Sequence, residues 1–316
     1  MRTLIVILGP TGIGKTELCL RVAEYFHIPI INADSRQIFA EIPVGTAAPT
    51  TEQLARVKHY FVGNHHIEDY YSASMYEQDV LNLITELDNR QAAQVKDIQD
   101  EQFSIPLAIL SGGSMMYIGA VCDGIDDIPT VDDQTRAWMK QRLADKGLPA
   151  LVEELKIIDP EHWAIVDKNN PRRVVHALEI CHMTGKTYTS FRKNEKKQRP
   201  FRIVKIGLNL PRDILYERIN KRVLNMIENG MVEEARSMYH LRKLNALNTV
   251  GYKELFEHFD GATTLDEAIL KIQSNTRRYA RKQLTWFKRD TTIHWFSPKQ
   301  YDDIIDFLLT NIRPQS

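Results

Sequence analysis

The stretch Leu4-Ile5-Val6-Ile7-Leu8-Gly9-Pro10-Thr11-Gly12-Ile13-Gly14-Lys15-Thr16 carries the architecture of this chain. The apolar run 4–8 is too short for a helix of its own and reads as a strand buried on both faces of a parallel sheet. Residues 9–14 form a glycine-rich loop, and 16–26 places Leu18, Leu20, Val22, Ala23 and Phe26 at helical spacing. The string from Gly9 to Thr16 satisfies G-x-x-x-x-G-K-[ST], and it lies between a strand and a helix, the context that motif requires. In such a loop, successive backbone N–H groups turn inward around phosphate oxygens, and the helix dipole adds positive potential. Lys15 supplies a point charge to the terminal phosphates, and the Thr16 hydroxyl suits Mg²⁺. The motif predicts binding of a phosphate chain without specifying ATP.

On either side of this loop the pattern continues. Strands are predicted at 28–32, 105–110 and 201–210, with a helix beginning at about Ser114 after the strand at 105–110. This alternation predicts an α/β fold, a P-loop NTPase-like doubly wound parallel sheet whose ligands sit at the carboxyl ends of the strands. Between 123 and 200 the strand signal disappears and helical spacing takes over at 134–145, 150–157 and 172–183. The expected organisation is therefore a P-loop core in two parts, 1–122 and 201–316, interrupted by a mostly helical insertion at 123–200. Beyond Pro211, helices are predicted at 214–228, 231–241 and 265–289, with Asn229-Gly230 as a helix stop. A last short strand at 293–296 and a closing helix follow.

With 316 residues, 43% of them hydrophobic and 26% charged, the chain reads as globular and not disordered. No apolar run is long enough to span a bilayer, and no small-residue cleavage site follows the first one, so no signal peptide is expected. Cys19, Cys122 and Cys181 lack any C-x-x-C spacing, which argues against a zinc site or a disulfide framework. A soluble, cytoplasmic protein is the expectation. The 41 basic and 41 acidic residues balance overall but not locally. Residues 65–133 hold 14 acids against Arg90 and Lys96, whereas 171–205 holds ten bases against Glu179 and Glu195. Residues 277–289 hold six bases and no acid. Such local basic surfaces can meet a polyanion, or can simply be solvated.

Several side chains are candidates for chemistry. Asp34, at the end of the second strand in Asn32-Ala33-Asp34-Ser35-Arg36-Gln37, is placed to act as a general base or metal-associated group; an Asp there can equally form a turn or cap. Ser114, after Gly112-Gly113, could donate to a departing phosphate or cap the next helix. No hydrophobic run ends in the Asp of a hydrolytic motor, which favours transfer chemistry. His59, His65 and His66 lack acidic or cysteine partners at ligand spacing, and a structural or substrate-adjacent role fits them better than a metal. Residues 277–289 interleave bases with aromatics, as a nucleic-acid-binding helix does, though a solvated amphipathic helix has the same pattern.

Together these strings resemble the bacterial tRNA dimethylallyltransferases (tRNA isopentenyltransferases, the IPP transferase family). The resemblance rests on 9–16, Asp34-Ser35-Arg36-Gln37, Gly45-Thr46-Ala47 with Pro49-Thr50, His65-His66-Ile67 and Gly112-Gly113-Ser114. It continues through Asn170-Pro171-Arg172-Arg173, Ala177-Leu178-Glu179, Thr184-Gly185-Lys186, Arg218-Ile219, Arg222, Val250-Gly251-Tyr252-Lys253-Glu254 and Arg281-Lys282-Gln283-Leu284-Thr285-Trp286. It implies transfer of a dimethylallyl group from dimethylallyl diphosphate to the exocyclic amine of the adenine 3′-adjacent to the anticodon, in tRNAs reading UNN codons. Asp34 would be the base. Gly9, Pro10, Thr11, Gly12, Ile13, Gly14, Lys15 and Thr16 would hold the diphosphate with Mg²⁺ on Thr16. Lys15 and Ser114 would stabilise the pyrophosphate as it leaves, with Arg222, and more weakly Arg218, adding charge.

The adenine would leave the anticodon-loop stack and enter a channel between core and insertion. The resemblance also implies tRNA contacts at Asp34, Ser35, Arg36, Gln37, Ser114, Arg136, Arg172-Arg173-Val174-Val175-His176, Thr249-Val250-Gly251-Tyr252-Lys253-Glu254 and Arg281-Lys282-Gln283-Leu284-Thr285-Trp286-Phe287-Lys288. Ser114 replaces the family's usual Thr, Met115-Met116-Tyr117 its Gly-Leu-Tyr, and Gly12-Ile13 its Ala-Ser. With no cysteine–histidine module after residue 290, a compact bacterial-type enzyme is implied, and a monomer is expected because nothing in the sequence requires a dimer. The competing readings are an adenylate isopentenyltransferase acting on free nucleotide, a small-molecule P-loop kinase and a non-enzymatic P-loop RNA-binding adaptor.

Overall fold

The N-terminal apolar run forms β1 (Thr3–Leu8) in the middle of a six-stranded sheet. The other strands are β2 (Ile30–Asn32), β3 (His59–Tyr60), β4 (Ala108–Gly112), β5 (Arg202–Leu208) and β6 (His294–Phe296), in the order β3-β2-β4-β1-β5-β6 and parallel throughout. This computed structural model describes residues 2–95, 106–193 and 195–312, with 93–95 described by backbone alone.

Fourteen helices occur among the described residues: α1 (Lys15–Phe26), α2 (Pro43–Thr46), α3 (Thr51–Arg56), α4 (Ala73–Val95), α5 (Met115–Asp123), α6 (Asp133–Ile158) and α7 (Pro160–Ile165). After them come α8 (Pro171–Thr184), α9 (Tyr188–Phe191), α10 (Arg212–Glu228), α11 (Met231–Ser237), α12 (Tyr252–Phe259), α13 (Leu265–Phe287) and α14 (Tyr301–Ile312).

Alternate residues of β1 serve opposite faces of the sheet. Leu4, Val6 and Leu8 join a core with Tyr76, Val80 and Ile84 of α4, Ile118 of α5 and Ile272 of α13. Ile5 and Ile7 join a second core with Leu18 and Val22 of α1, Leu215 and Ile219 of α10, and Leu308 of α14. The sheet is therefore covered on both sides, and the uninterrupted apolar run follows from that. Strands begin later than the sequence suggests where proline precedes them: Pro29 delays β2 to Ile30, and Pro106 precedes β4, because proline has no N–H for the ladder. Ile105, included in the expected strand, lies outside the described residues.

The chain divides into two compact units, Asp123–Lys197 and the rest. The smaller unit is helical, with a core of Met139, Leu151, Leu155, Val166, Val174, Ala177 and Leu178. Its two expected N-terminal helices are the two arms of α6, broken at Gly147 (φ 73°) just ahead of Pro149. The side chain of Asp132 accepts from the Thr135 N–H at 2.8 Å and starts the first arm. Buried Asp159 binds the unit's C-terminal elements together, accepting from the His162 N–H (3.0 Å), the Thr189 N–H (2.8 Å) and the Thr189 hydroxyl (2.7 Å).

Candidate active site

Where β1 ends, the glycine-rich loop turns into α1 through Gly14, whose φ of 100° lies in the left-handed region that only glycine enters without strain. Among the described residues no side chain caps α1, so its first N–H groups stay open to an anion. Lys15 folds back over the loop, and its Nζ donates to the carbonyls of Gly9 and Pro10, both at 2.9 Å. Burial, and then the nearby Arg222 guanidinium, push this ammonium down to about 8, while Asp34 pulls it the other way.

The loop floors a cavity of about 440 Å³. Its lining includes Thr11, Lys15, Thr16, Asp34 and Gln37, and from α10 Arg218, Lys221, Arg222 and Asn225. These four α10 residues follow i, i+3, i+4, i+7 spacing and so share one face of the helix. The Arg218 Nε donates to the Gly12 carbonyl at 3.0 Å, and Arg222 reaches the Thr46 carbonyl at 3.2 Å. Gln37 also donates to the carbonyls of Thr46 and Ala47, each at 3.1 Å. Among the described residues Asp34 is the one carboxylate in this lining, against the cations Lys15, Arg218, Lys221 and Arg222.

Asp34 sits just past β2. Its Oδ1 accepts from the backbone N–H of Arg36 (2.9 Å) and Gln37 (3.4 Å), forming the turn that its sequence position suggested. Its Oδ2 makes no hydrogen bond among the described residues, so turn and base roles are compatible. A second cavity of about 310 Å³ shares Thr11, Asp34, Thr46, Arg222 and Tyr279 with the first. It is otherwise lined by Ser35, Arg36, Thr249, Val250 and Lys253 together with apolar groups such as Met226 and Ile272. The two chambers meet at Asp34.

Ser114 directly follows Gly113, which lines the first cavity. It lines neither cavity, and its hydroxyl makes no hydrogen bond among the described residues, to a helix terminus or otherwise. Its backbone N–H donates to the Ala33 carbonyl at 3.1 Å, so Ser114 braces the Asp34 turn. As well as Ser114 and Gly251, five expected tRNA contacts within helices are buried: Val174, Tyr252, Glu254, Gln283 and Phe287. Their side chains face inward because their helices need an apolar or hydrogen-bonded inner face. Glu254 accepts from the Gly251 N–H and from Asn275, and Tyr252 donates to Glu234 at 2.5 Å.

Arg172, Arg173, Lys253, Arg281, Lys282, Thr285, Trp286 and Lys288 are exposed, whereas Arg136, Val175, His176 and Thr249 are half-buried. On α13, Ala280 and Phe287 pack inward, and an outer groove of about 510 Å³ is lined by Met115, Arg278, Arg281, Lys282, Thr285, Trp286 and Arg289. His66 pairs with Glu41 at 2.8 Å and His65 with Asp69 at 3.7 Å, while His59 lines the first cavity. Cys19, beneath the loop, contacts the Ser111 hydroxyl at 3.0 Å, and burial pushes its thiol up to about 11, so it stays neutral. Lys221, Asn225 and Tyr279 were not anticipated; the helical spacing from Arg218 would have disclosed the first two.

A glycine loop opening on a cationic chamber whose lining holds, among the described residues, a single carboxylate defines a P-loop protein equipped for a phosphorylated ligand. Residues 37–290 match the family model described as IPP transferase, and the chain belongs to that family. It is similar to tRNA dimethylallyltransferase 1 of Bacteroides fragilis, 55% identical over 312 residues and covering 99% of each chain. The Phocaeicola vulgatus protein of the same name is 56% identical over 306 residues, 97% of each. Among solved structures, the full-length tRNA isopentenylpyrophosphate transferase of Bacillus halodurans superposes with a TM-score of 0.69 at 32% identity, covering 99% of this chain and 97% of its own. A eukaryotic dimethylallyltransferase acting on tRNA shares the fold, with a TM-score of 0.80 at 22% identity over 98% of this chain and 79% of its own.

Proposed function

We propose that this chain transfers the dimethylallyl group of dimethylallyl diphosphate to the exocyclic 6-amino group of the adenine 3′-adjacent to the anticodon in tRNAs reading UNN codons. The observation that carries this reading is the pair of chambers meeting at Asp34, one cationic and built on the P-loop, the other of mixed polarity. Relatives spanning nearly the whole chain bear the name of this reaction.

In this mechanism the diphosphate takes the open N–H groups of the loop, and the Lys15 ammonium turns from its own carbonyls to the ligand. The bond from the adenine nitrogen to the allylic carbon forms as that carbon's bond to oxygen breaks. The amine proton passes to Asp34 Oδ2, and pyrophosphate departs toward Lys15, Arg218, Lys221 and Arg222. The lining would suit Mg²⁺ held chiefly by the substrate, with the Thr16 hydroxyl as its protein partner. When bound there, the ion neutralises charge developing on the leaving group.

Arg36, Lys253, Arg281, Lys282 and Trp286, with Arg136, Arg172 and Arg173 of the helical unit, would engage the anticodon stem-loop. A tRNA substrate implies a cytoplasmic enzyme, and because both chambers come from one chain, a monomer suffices. The test incubates the protein with Mg²⁺, labelled dimethylallyl diphosphate and either unmodified tRNA or free AMP. Label on the adenosine beside the anticodon is expected; label on AMP alone would move the protein to nucleotide prenylation, and label on neither would overturn the reading.

A further inference from the structure

Gln283 belongs to the basic helix α13, yet its side chain is only 1% exposed. Its Oε1 accepts from the Thr11 N–H of the P-loop at 2.9 Å, and its Nε2 donates to the Gly113 carbonyl at 2.7 Å. The next residue, Ser114, donates its N–H to the Ala33 carbonyl, immediately before Asp34. One amide thus joins the diphosphate loop, the β4–α5 connection and, through it, the turn that carries the base. Gly113 leaves no slack: a Cβ there would lie 2.4 Å from the Gln283 Nε2.

The opposite face of α13 carries the groove of Arg278, Arg281, Lys282 and Trp286, and Met115, directly after Ser114, forms part of that groove. Gly113 lines the donor chamber and Met115 the groove, so the two share α13 and adjoining residues of the β4–α5 connection. A buried amide with both ends engaged is costly to displace, so it transmits movement of its helix to the loop.

We propose that Gln283 is a positioning residue that couples RNA engagement on the outer face of α13 to the geometry of the diphosphate loop and the Asp34 turn. This rests on the tRNA reading above, because it requires the groove to meet RNA. RNA docking sets the position of α13, α13 sets Thr11 and Gly113, and the donor is held more tightly when the acceptor is present. By linkage, donor binding tightens RNA binding by the same factor.

The test measures pyrophosphate affinity calorimetrically on the full chain, with and without a saturating anticodon stem-loop RNA, alongside a prenyl-transfer assay. In the wild type, RNA should raise pyrophosphate affinity about five-fold or more. Gln283→Leu and Gly113→Ala should bring that ratio to about one while leaving RNA affinity alone intact. Gln283→Glu adds a readout that lost packing would not mimic. As a carboxylate it repels the Gly113 carbonyl and uncouples; protonated at acid pH, its O–H replaces the amide donor and coupling returns, whereas the wild-type ratio stays flat over that range.

A wild-type ratio of one in an enzyme that transfers the prenyl group would overturn the latch alone. So would variants that lose RNA affinity but keep the ratio, since Gln283 would then be an RNA contact. Absence of transfer by the wild type would overturn the functional reading and the latch with it.

Discussion

Asp34→Asn separates the two roles that one carboxylate fills. Asparagine keeps the Oδ1 that accepts from Arg36 and Gln37, so the turn survives and thermal stability should stay close to wild type. Asp34→Ala removes those acceptors and should cost about 1 kcal/mol of stability in addition. Both variants lose the unpaired Oδ2, and with it the proton acceptor. A positioned general base contributes about 10²–10⁴ in rate, so kcat should fall by that factor, about 3–5 kcal/mol in the barrier. Pyrophosphate affinity should hold or improve, because the cationic chamber loses its one carboxylate. The assay is single-turnover transfer to tRNA beside pyrophosphate titration and thermal melts. Asp34→Asn with a rate within about ten-fold of wild type would show that the carboxylate only forms the turn.

Three further outcomes follow from the same geometry. Because the Lys15 ammonium binds the anion and burial lowers it to about 8, pyrophosphate affinity should decline above about pH 8; Arg222→Met should weaken binding about ten-fold and move that decline to higher pH, since the guanidinium no longer depresses Lys15, and an unmoved midpoint in the titration would contradict this. Lys282→Gln should weaken tRNA binding and reduce the slope of log affinity against log salt by about one, read by filter binding at several salt concentrations. Leu155→Ala, in the core of the helical unit, should cost about 2–5 kcal/mol in denaturant unfolding, and a cost below about 1 kcal/mol would mean that core is loosely packed.

The sheet and P-loop were legible because β1 and β4 are fully buried runs, and burial on both faces of β1 writes itself as unbroken hydrophobicity. The helix α4 was overlooked although Tyr76, Val80, Ile84 and Leu87 mark its inner face at helical spacing; its exposed acids drew attention to charge instead. The two-residue β3 carries no pattern of its own, because its pairing with β2 is what defines it. The resemblance named Asp34, Lys15, Arg218 and Arg222, and all four lie in the lining of one cavity. The burial of Gln283 was not legible: a glutamine among arginines reads as surface, and only the packing of α13 onto the loop reveals that it faces inward. The family motif gave Ser114 a hydroxyl role, while its backbone makes the connection to Asp34.

The parallel sheet also sets a timetable for synthesis. Ile5 pairs with Ile109 and with Val204, partners 104 and 199 positions further along the chain. The first strand emerging from the ribosome must therefore wait, with one edge unpaired, until two-thirds of the protein has been made. The helical unit lies between those two partners, and its own core joins residues only tens of positions apart, so it can consolidate while β1 still lacks β5. The wait is longer still for the donor chamber, which needs Arg222 from α10 and Gln283 from α13. A nascent chain thus carries a complete phosphate-binding motif for most of its translation without a pocket to put it in. A premature stop anywhere before α13 should yield a product unable to hold the donor.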